Sequence, residues 1–337
     1  MPALLWGTDT VPDNIVAAHN TVASCNSGEM GGHGGPSLQS MAIIYFLGSL
    51  AAVSIVTTLV FSYLVHRYPR RPVQDPPDWG TVTERTIPAA DGGFLEVWRV
   101  EPHGPSRGIV VLAHGWSRNR DRMTSRARLF GQWGFTTVYH SARDHGGSSP
   151  KKIVNGPMFA RDIATVIQWV GEPVMLYGHS MGAVGASLAA AQNPDPIRLL
   201  FLEGCYAHTR PALMQLYCWF NPFFGRVIAP LMLVWMDWLY GVRLESTSPA
   251  RVAPGLGMPV MLIHGERDGR FPLVMARELR RAFSHAEVEM YVGPGAGHSD
   301  TSQTPGYAGA VAAFLQRYLP PRATADAALP PAPEETP

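Results

Sequence analysis

Apolar residues are distributed along this chain in two different ways. From Met41 to Val65 they form one run, MAIIYFLGSLAAVSIVTTLVFSYLV, with no charge in 25 positions. As a helix rising 1.5 Å per residue the run is about 37 Å long, enough to cross a hydrocarbon core of about 30 Å with some tilt. Ser, Thr and Gly inside it are tolerated in membrane helices. It is too long for a cleaved signal peptide and lacks the basic segment that should precede one. The run therefore predicts a single transmembrane helix over 41–65. Beyond residue 80 the apolar segments are short and β-branched, at 82–88, 93–100, 108–113, 135–140, 173–178, 197–203, 259–264 and 286–292. Helix-like stretches fall at 122–133, 158–170 and 307–318. Most of the short segments are apolar throughout, as expected of strands covered on both faces. Two antiparallel-looking strands followed by β–α alternation predict an α/β domain over 81–319, its mostly parallel central sheet flanked by helices.

The flanking segments have their own character. Residues 1–40 contain no Lys or Arg but do contain Asp9, Asp13 and Glu29, whereas Arg67, Arg70 and Arg71 follow the apolar run. Basic residues stay on the cytoplasmic side, so the N-terminus is expected outside and the folded domain in the cytoplasm. Residues 1–40 read as a disordered tail, with Met30 and Met41 as alternative starts. Pro69, Pro72, Pro76 and Pro77 make 66–80 a stiff Pro/Arg linker. Residues 320–337 carry six prolines and read as a second disordered tail. Within the domain, 208–246 interrupts the alternation with Tyr217, Trp219, Phe220, Phe223, Phe224, Trp235, Trp238 and Tyr240. Its apolar stretch 227–236 is too short to span a bilayer. An inserted helical cap over the sheet is expected there.

Composition narrows the picture. Charged residues are 16% of the chain, against roughly 25% in a typical soluble domain; this excludes a mainly disordered chain and fits a part that does not face water. A formal net charge of +1 provides no field for a polyanion, which excludes nucleic acid as a partner. Cys25, Cys205 and Cys218 form no C-x-x-C pair, so neither a disulfide scaffold nor a zinc ribbon is expected.

The candidate chemistry centres on Gly178-His179-Ser180-Met181-Gly182, entered from a strand (PVMLYG) and left by a small-residue helix (AVGASLAAAQ). A nucleophilic serine must be thrust clear of a sheet on a tight bend that crowds its neighbours, hence glycines at two-residue spacing. The helix starting there brings unpaired N–H groups and a positive dipole end to bear on negative charge. Serine needs a base. Of twelve histidines, His298 is the best candidate, lying in Gly-Ala-Gly-His-Ser-Asp between the last strand and the last helix. That base needs a carboxylate partner. Asp268, in His-Gly-Glu-Arg-Asp after the strand MLIH, fits best, with Glu266 and Glu203 as competitors. The backbone N–H groups of Met181 and of Trp116, in His114-Gly115-Trp116-Ser117, are the expected oxyanion donors. Trp116 and His179 are expected to touch the substrate.

With these motifs in the order His-Gly-Trp-Ser, Gly-His-Ser-Met-Gly, His-Gly-Glu-Arg-Asp and Gly-His, residues 80–319 resemble the α/β-hydrolase superfamily, near its lipase, esterase and acylaminoacyl-peptidase-like branches. Arg143-Asp144-His145-Gly146 departs from the family's usual Arg-Gly-His-Gly turn. The resemblance implies a serine hydrolase acting through Ser180, His298 and Asp268 with no cofactor, and no metal-ligand cluster in the sequence opposes this. The aromatic cap and the anchor point to a small-molecule or lipid ester as substrate. A peptidase, a thioesterase and a non-catalytic membrane-tethered binding module are the alternatives.

Overall fold

The computed structural model describes residues 37–241 and 243–319. The expected tails lie outside this range, apart from residues 37–40. The chain divides after Leu50 into two compact units. In the first, the described residues are the start of helix α1 (Leu38–Leu64), with exposed apolar side chains such as Ile43, Phe46 and Leu47. Over its whole length α1 is long and apolar enough to cross a membrane.

The second unit is a layered α/β domain. Its strands are β1 (Thr81–Pro88), β2 (Phe94–Glu101), β3 (Ile109–Ala113), β4 (Thr136–His140), β5 (Val174–His179), β6 (Ile197–Glu203), β7 (Val260–Gly265) and β8 (Val288–Gly293). They form one sheet in the order β1-β2-β4-β3-β5-β6-β7-β8. The pairs β1–β2 and β2–β4 are antiparallel, and every later pair is parallel. The alternating pleat sends Ile109, Val111 and Ala113 of β3 to one face and Val110 and Leu112 to the other. Helices α2 (Thr124–Gln132) and α10 (Tyr307–Tyr318) cover the second face. The first is covered by α3 (Gly156–Val170), α4 (Met181–Gln192), the short α8 (Pro249–Val252) and α9 (Leu273–Ala282). Both faces are therefore buried, which explains why the strand segments are apolar without alternation.

Small residues set the distance of α4 from its neighbours. A side chain at Gly185 would place its Cβ 2.7 Å from Phe159 Cβ on α3. Asn155 caps α3 through the Met158 N–H, and Gly171, in the left-handed region at φ 70°, ends it.

Between β6 and β7 the chain leaves the sheet to form α5 (Thr209–Phe220), α6 (Pro222–Val227) and α7 (Ala229–Tyr240). This cap has its own apolar centre, with Tyr217, Met232, Leu233, Met236 and Leu244 buried. It packs on the last turns of α1. Trp235 Nε1–H donates to Thr58 Oγ1 at 2.9 Å, Ser62 Oγ–H reaches the Met232 carbonyl at 3.3 Å, and Phe61 meets Phe224 edge to face.

Residues 66–80 do not stand off as a spacer. Arg70 pairs with Asp144 at 3.2 Å, Asn119 Nδ2–H donates to the Arg71 and Pro72 carbonyls, and Thr124 Oγ1–H donates to the Asp75 carbonyl. Prolines keep the segment extended, and the carbonyls of Arg71, Pro72 and Asp75 find donors on the domain.

Candidate active site

The chain bends sharply at Ser180, between β5 and α4, with φ 56° and ψ −119°. A Cβ at residue 178 would lie 2.5 Å from Ala183 Cα, and one at residue 182 would lie 2.5 Å from the His114 carbonyl oxygen. The two glycines are thus required by the approach of α4 to β5 and of the bend to the loop after β3. Ser180 N–H donates to the Glu203 carbonyl at 2.8 Å, fixing the bend to β6. A left-handed serine costs of order 1–3 kcal/mol, and such strain persists where the surroundings over-determine it.

The loops at the carboxyl ends of β7 and β8 converge on this serine. His298 Nε2 lies 2.9 Å from Ser180 Oγ, and its Nδ1 lies 2.7 Å from Asp268 Oδ2. The other Asp268 oxygen accepts the N–H groups of Arg270 and Phe271 at 2.9 and 3.0 Å. Burial alone would raise the Asp268 pKa; the hydrogen bond and charge of His298, with the Phe271 N–H, overcome this and hold it below its ordinary value. Asp268 is therefore ionised at neutral pH and can hold the imidazole with its proton on Nδ1, leaving Nε2 to accept from serine. Glu203 is elsewhere. It is fully buried, takes both guanidinium arms of Arg126 at 2.5 Å and accepts the Tyr177 hydroxyl at 2.7 Å. Glu266 is occupied by the Gly295 N–H at 2.8 Å.

The loop after β3 lies directly over the serine, and a Cβ at Gly115 would come within 3.0 Å of Ser180 Cβ. Met181 is the first residue of α4, so its N–H precedes the helical ladder. Two neutral histidines brace the loop. His114 Nδ1–H donates to the Gly115 carbonyl at 2.7 Å, and its Nε2 accepts the Ala142 N–H at 2.9 Å. His145 Nδ1–H donates to the Arg143 carbonyl at 2.9 Å, so Nε2 must accept, and it receives the Ser117 N–H at 3.1 Å. Burial lowers the His145 pKa to about 4 and keeps it neutral. Asp144, where the family's turn usually has glycine, adopts φ 65° and keeps that turn, its N–H bonded to the Ser149 carbonyl at 2.8 Å.

Known proteins share this frame. A family model described as serine aminopeptidase, S33, matches residues 104–251, and one described as TAP-like protein matches 221–326. An esterase of Pyrococcus furiosus superposes with a TM-score of 0.58 at 18% identity, covering 75% of this chain and all of that one. The chain is an α/β-hydrolase. Among curated relatives of this α/β-hydrolase, a monoacylglycerol lipase of Mycolicibacterium smegmatis is 23% identical over 250 residues, 62% of this chain and 88% of the lipase. Human monoglyceride lipase is 30% identical over 112 residues, 31% of this chain and 37% of its own.

Above Ser180 the hydrolase encloses a cavity of 490 Å³. Ser180, Met181, His298 and Trp116 line it from the sheet side, and Leu213, Leu216, Tyr217, Phe220 and Met236 of the cap close it. His179 does not lie on this wall, which corrects the expected substrate contact. Its side chain turns under the site instead, Nε2 3.2 Å from the His298 carbonyl. His179 ends β5 and is buried against the sheet, whereas Ser180 stands on the bend beyond it.

Several cavity residues escaped the sequence reading, among them three that follow α1. Val65, His66 and Tyr68, just beyond α1, form part of the wall. Tyr68 O–H donates to His145 Nε2 at 3.0 Å, and His66 Nε2 bonds to the Tyr240 hydroxyl at 3.1 Å. The rings of both lie 5.5 Å from the Trp116 indole. Aromatic residues inside a proline-rich segment were the available signal.

Proposed function

We propose that this protein is a membrane-anchored serine esterase whose substrates carry an apolar acyl chain. In this reading Ser180 attacks the ester carbonyl while His298 Nε2 takes its proton, and Asp268 stabilises the imidazolium. The N–H groups of Met181 and Trp116 receive the oxyanion. His298 then protonates the departing alcohol, and water releases the acyl group by the same steps. The observation that carries the reading is the hydroxyl–imidazole–carboxylate chain at 2.9 and 2.7 Å, opening into a cavity walled by Leu, Met, Phe and Tyr. The lipase and esterase relatives support ester chemistry, and α1, followed by three arginines, supports an anchor with the catalytic domain on the cytoplasmic side.

A fluorophosphonate probe tests the chemistry: it labels the wild type and not Ser180→Ala. A series of p-nitrophenyl esters tests the substrate, with kcat/KM expected to rise from acetyl to octanoyl. No labelling of folded wild type, or a flat preference for acetyl, overturns the corresponding half of the proposal. Because the matching family model is described as an aminopeptidase, amides are the second reading, and equal turnover of matched anilides would favour it.

A further inference from the structure

The cavity is not uniformly apolar. Arg71, Arg118 and Arg270 line it together with Ser180 and His298. Several arginines near them are neutralised, although Arg122, whose guanidinium donates to the Ser299 carbonyl at 2.8 Å, is not. Arg70 has Asp144 at 3.2 Å, Arg120 has Glu84 and Glu96, and Arg126 has Glu203 at 2.5 Å. Among the described residues, Arg71, Arg118 and Arg270 have no carboxylate within ion-pair distance. The acids nearby are committed elsewhere: Asp268 to His298, and Asp121 through Oδ2 to the Gln74 N–H at 2.8 Å. Arg270 rests on the Trp219 ring at 5.0 Å, which positions its guanidinium without neutralising it.

Arg71 and Arg270 both act on Arg118, opposed by the weaker attraction of Asp121. Burial first, and then the positive fields of Arg71 and Arg270, lower the pKa of Arg118. Like charges gathered at a partly desolvated cavity wall are unfavourable unless an anion joins them. Guanidinium groups suit phosphate and carboxylate oxygens because their N–H donors form a planar fork. Neutral glycerides offer such a set hydrogen-bond acceptors but no compensating charge.

We infer that Arg71, Arg118 and Arg270 form a subsite for an anionic group, so that the substrate is an acyl ester bearing a phosphate or carboxylate beside the scissile bond. This rests on the esterase reading above and names its substrate class. The acyl chain occupies the apolar cap side while the anion meets the arginines, with the ester between them at Ser180. Phosphate is the group to test, since three cations match its charge and its oxygens better than one carboxylate does.

The test uses the full chain in detergent micelles, with a 1-acylglycerol and the 1-acylglycerol 3-phosphate of the same acyl length. Wild type is expected to favour the phosphate ester in kcat/KM by at least about tenfold, the worth of one charge-assisted hydrogen bond. In Arg118→Gln/Arg270→Gln that ratio falls at least fivefold, with fluorophosphonate labelling reporting that the domain is still folded. Glycerol 3-phosphate and inorganic phosphate, added as inhibitors, separate headgroup recognition from a site for free phosphate. Inhibition by the first alone assigns the site to the lipid headgroup, and inhibition by both assigns it to phosphate itself. Hydrolysis of the neutral ester with no anionic preference, or a preference the double variant retains, overturns the subsite while leaving the esterase reading intact. If neither ester is cleaved, the esterase reading fails. Dodecyl phosphate binding, followed by tryptophan fluorescence, then decides the subsite by itself: binding weakened about tenfold in the double variant supports it, and equal binding overturns it.

Discussion

Around Ser180 and around the cap the same cavity is bounded by two differently built walls. At the bend, position is dictated by sterics: two missing Cβ atoms, a left-handed serine and a hydrogen bond to β6 leave the hydroxyl one place to be. On the opposite wall, Leu213, Tyr217, Phe220 and Met236 present largely apolar side chains to the cavity, and Phe220 is 69% exposed. Its polar anchors lie behind that wall, where Trp235 donates to Thr58 of α1, Arg210 pairs with Asp237 and Gln215 Nε2–H donates to the Gly269 carbonyl. In the proposed reading the difference separates two tasks. Proton transfer tolerates errors of a fraction of an ångström, so its groups are held by short, directional bonds on rigid strand ends. Binding an acyl chain scales with buried area and tolerates repacking, so that wall is built of adaptable side chains. Perturbing the first wall should therefore alter kcat, and perturbing the second should alter substrate preference.

The largest effect should come from Asp268→Asn. Replacing the carboxylate removes the charge that steadies the imidazolium and lets the amide donate to Nδ1, which favours the wrong tautomer. A fall in kcat of about 10⁴ is expected, with KM changed less than threefold, because Asp268 does not line the cavity. Steady-state kinetics on a p-nitrophenyl ester decide it. A change confined to KM would erase the proposed division between the walls.

These two walls were not equally legible. Gly178 and Gly182 advertise the bend because a steric demand falls on residues adjacent in sequence, and the β-branched runs mark the sheet because both its faces are covered. The cap could be recognised by its aromatic density, yet not its seat on α1, since nothing local links Thr58 to Trp235. Tyr68 was hidden for the same reason. A proline-rich stretch reads as a spacer until the fold brings carbonyl partners such as Asn119 and Thr124 beside it. His179 lies away from the cavity although it is adjacent in sequence to Ser180, because the bend that begins at Ser180 leaves His179 buried at the end of β5.

The rigid wall carries a pH signature. Burial lowers His140 and His145 to about 4 and His179 to about 3, against 6.5 for an exposed histidine. Between those values the unfolded chain binds protons that the folded chain does not. Stability therefore falls as pH drops from about 6.5 toward 4, and these groups leave it flat above about 7.5. One histidine displaced from 6.5 to about 4 is worth about 3 kcal/mol, or roughly 10 °C of melting temperature in a domain of this size. Thermal melts at pH 4.5, 6 and 7.5 check this, and equal melting temperatures at all three would show that the histidines are hydrated.

The smallest effect lies where the walls meet. Tyr68 comes from the segment after α1, yet its hydroxyl shares His145 Nε2 with the Ser117 N–H, one residue from a proposed oxyanion donor. Tyr68→Phe keeps the ring against Trp116 and removes only the O–H, so the packing of the cavity should be preserved. His145 then holds the loop with one fewer constraint, and the Trp116 N–H loses alignment in the transition state more than in the ground state. Loss of an oxyanion donor itself costs about 10²–10³ in rate; loosening one through a neighbour should cost less, about tenfold in kcat, with KM within twofold. A positioning role also predicts that Tyr68→Phe slows fluorophosphonate labelling by a similar factor without lowering the melting temperature, whereas a purely structural role would lower the melting temperature and leave the labelling rate of the folded fraction unchanged. Should Tyr68→Phe raise KM while kcat holds, Tyr68 belongs to the adaptable wall and acts on substrate binding alone.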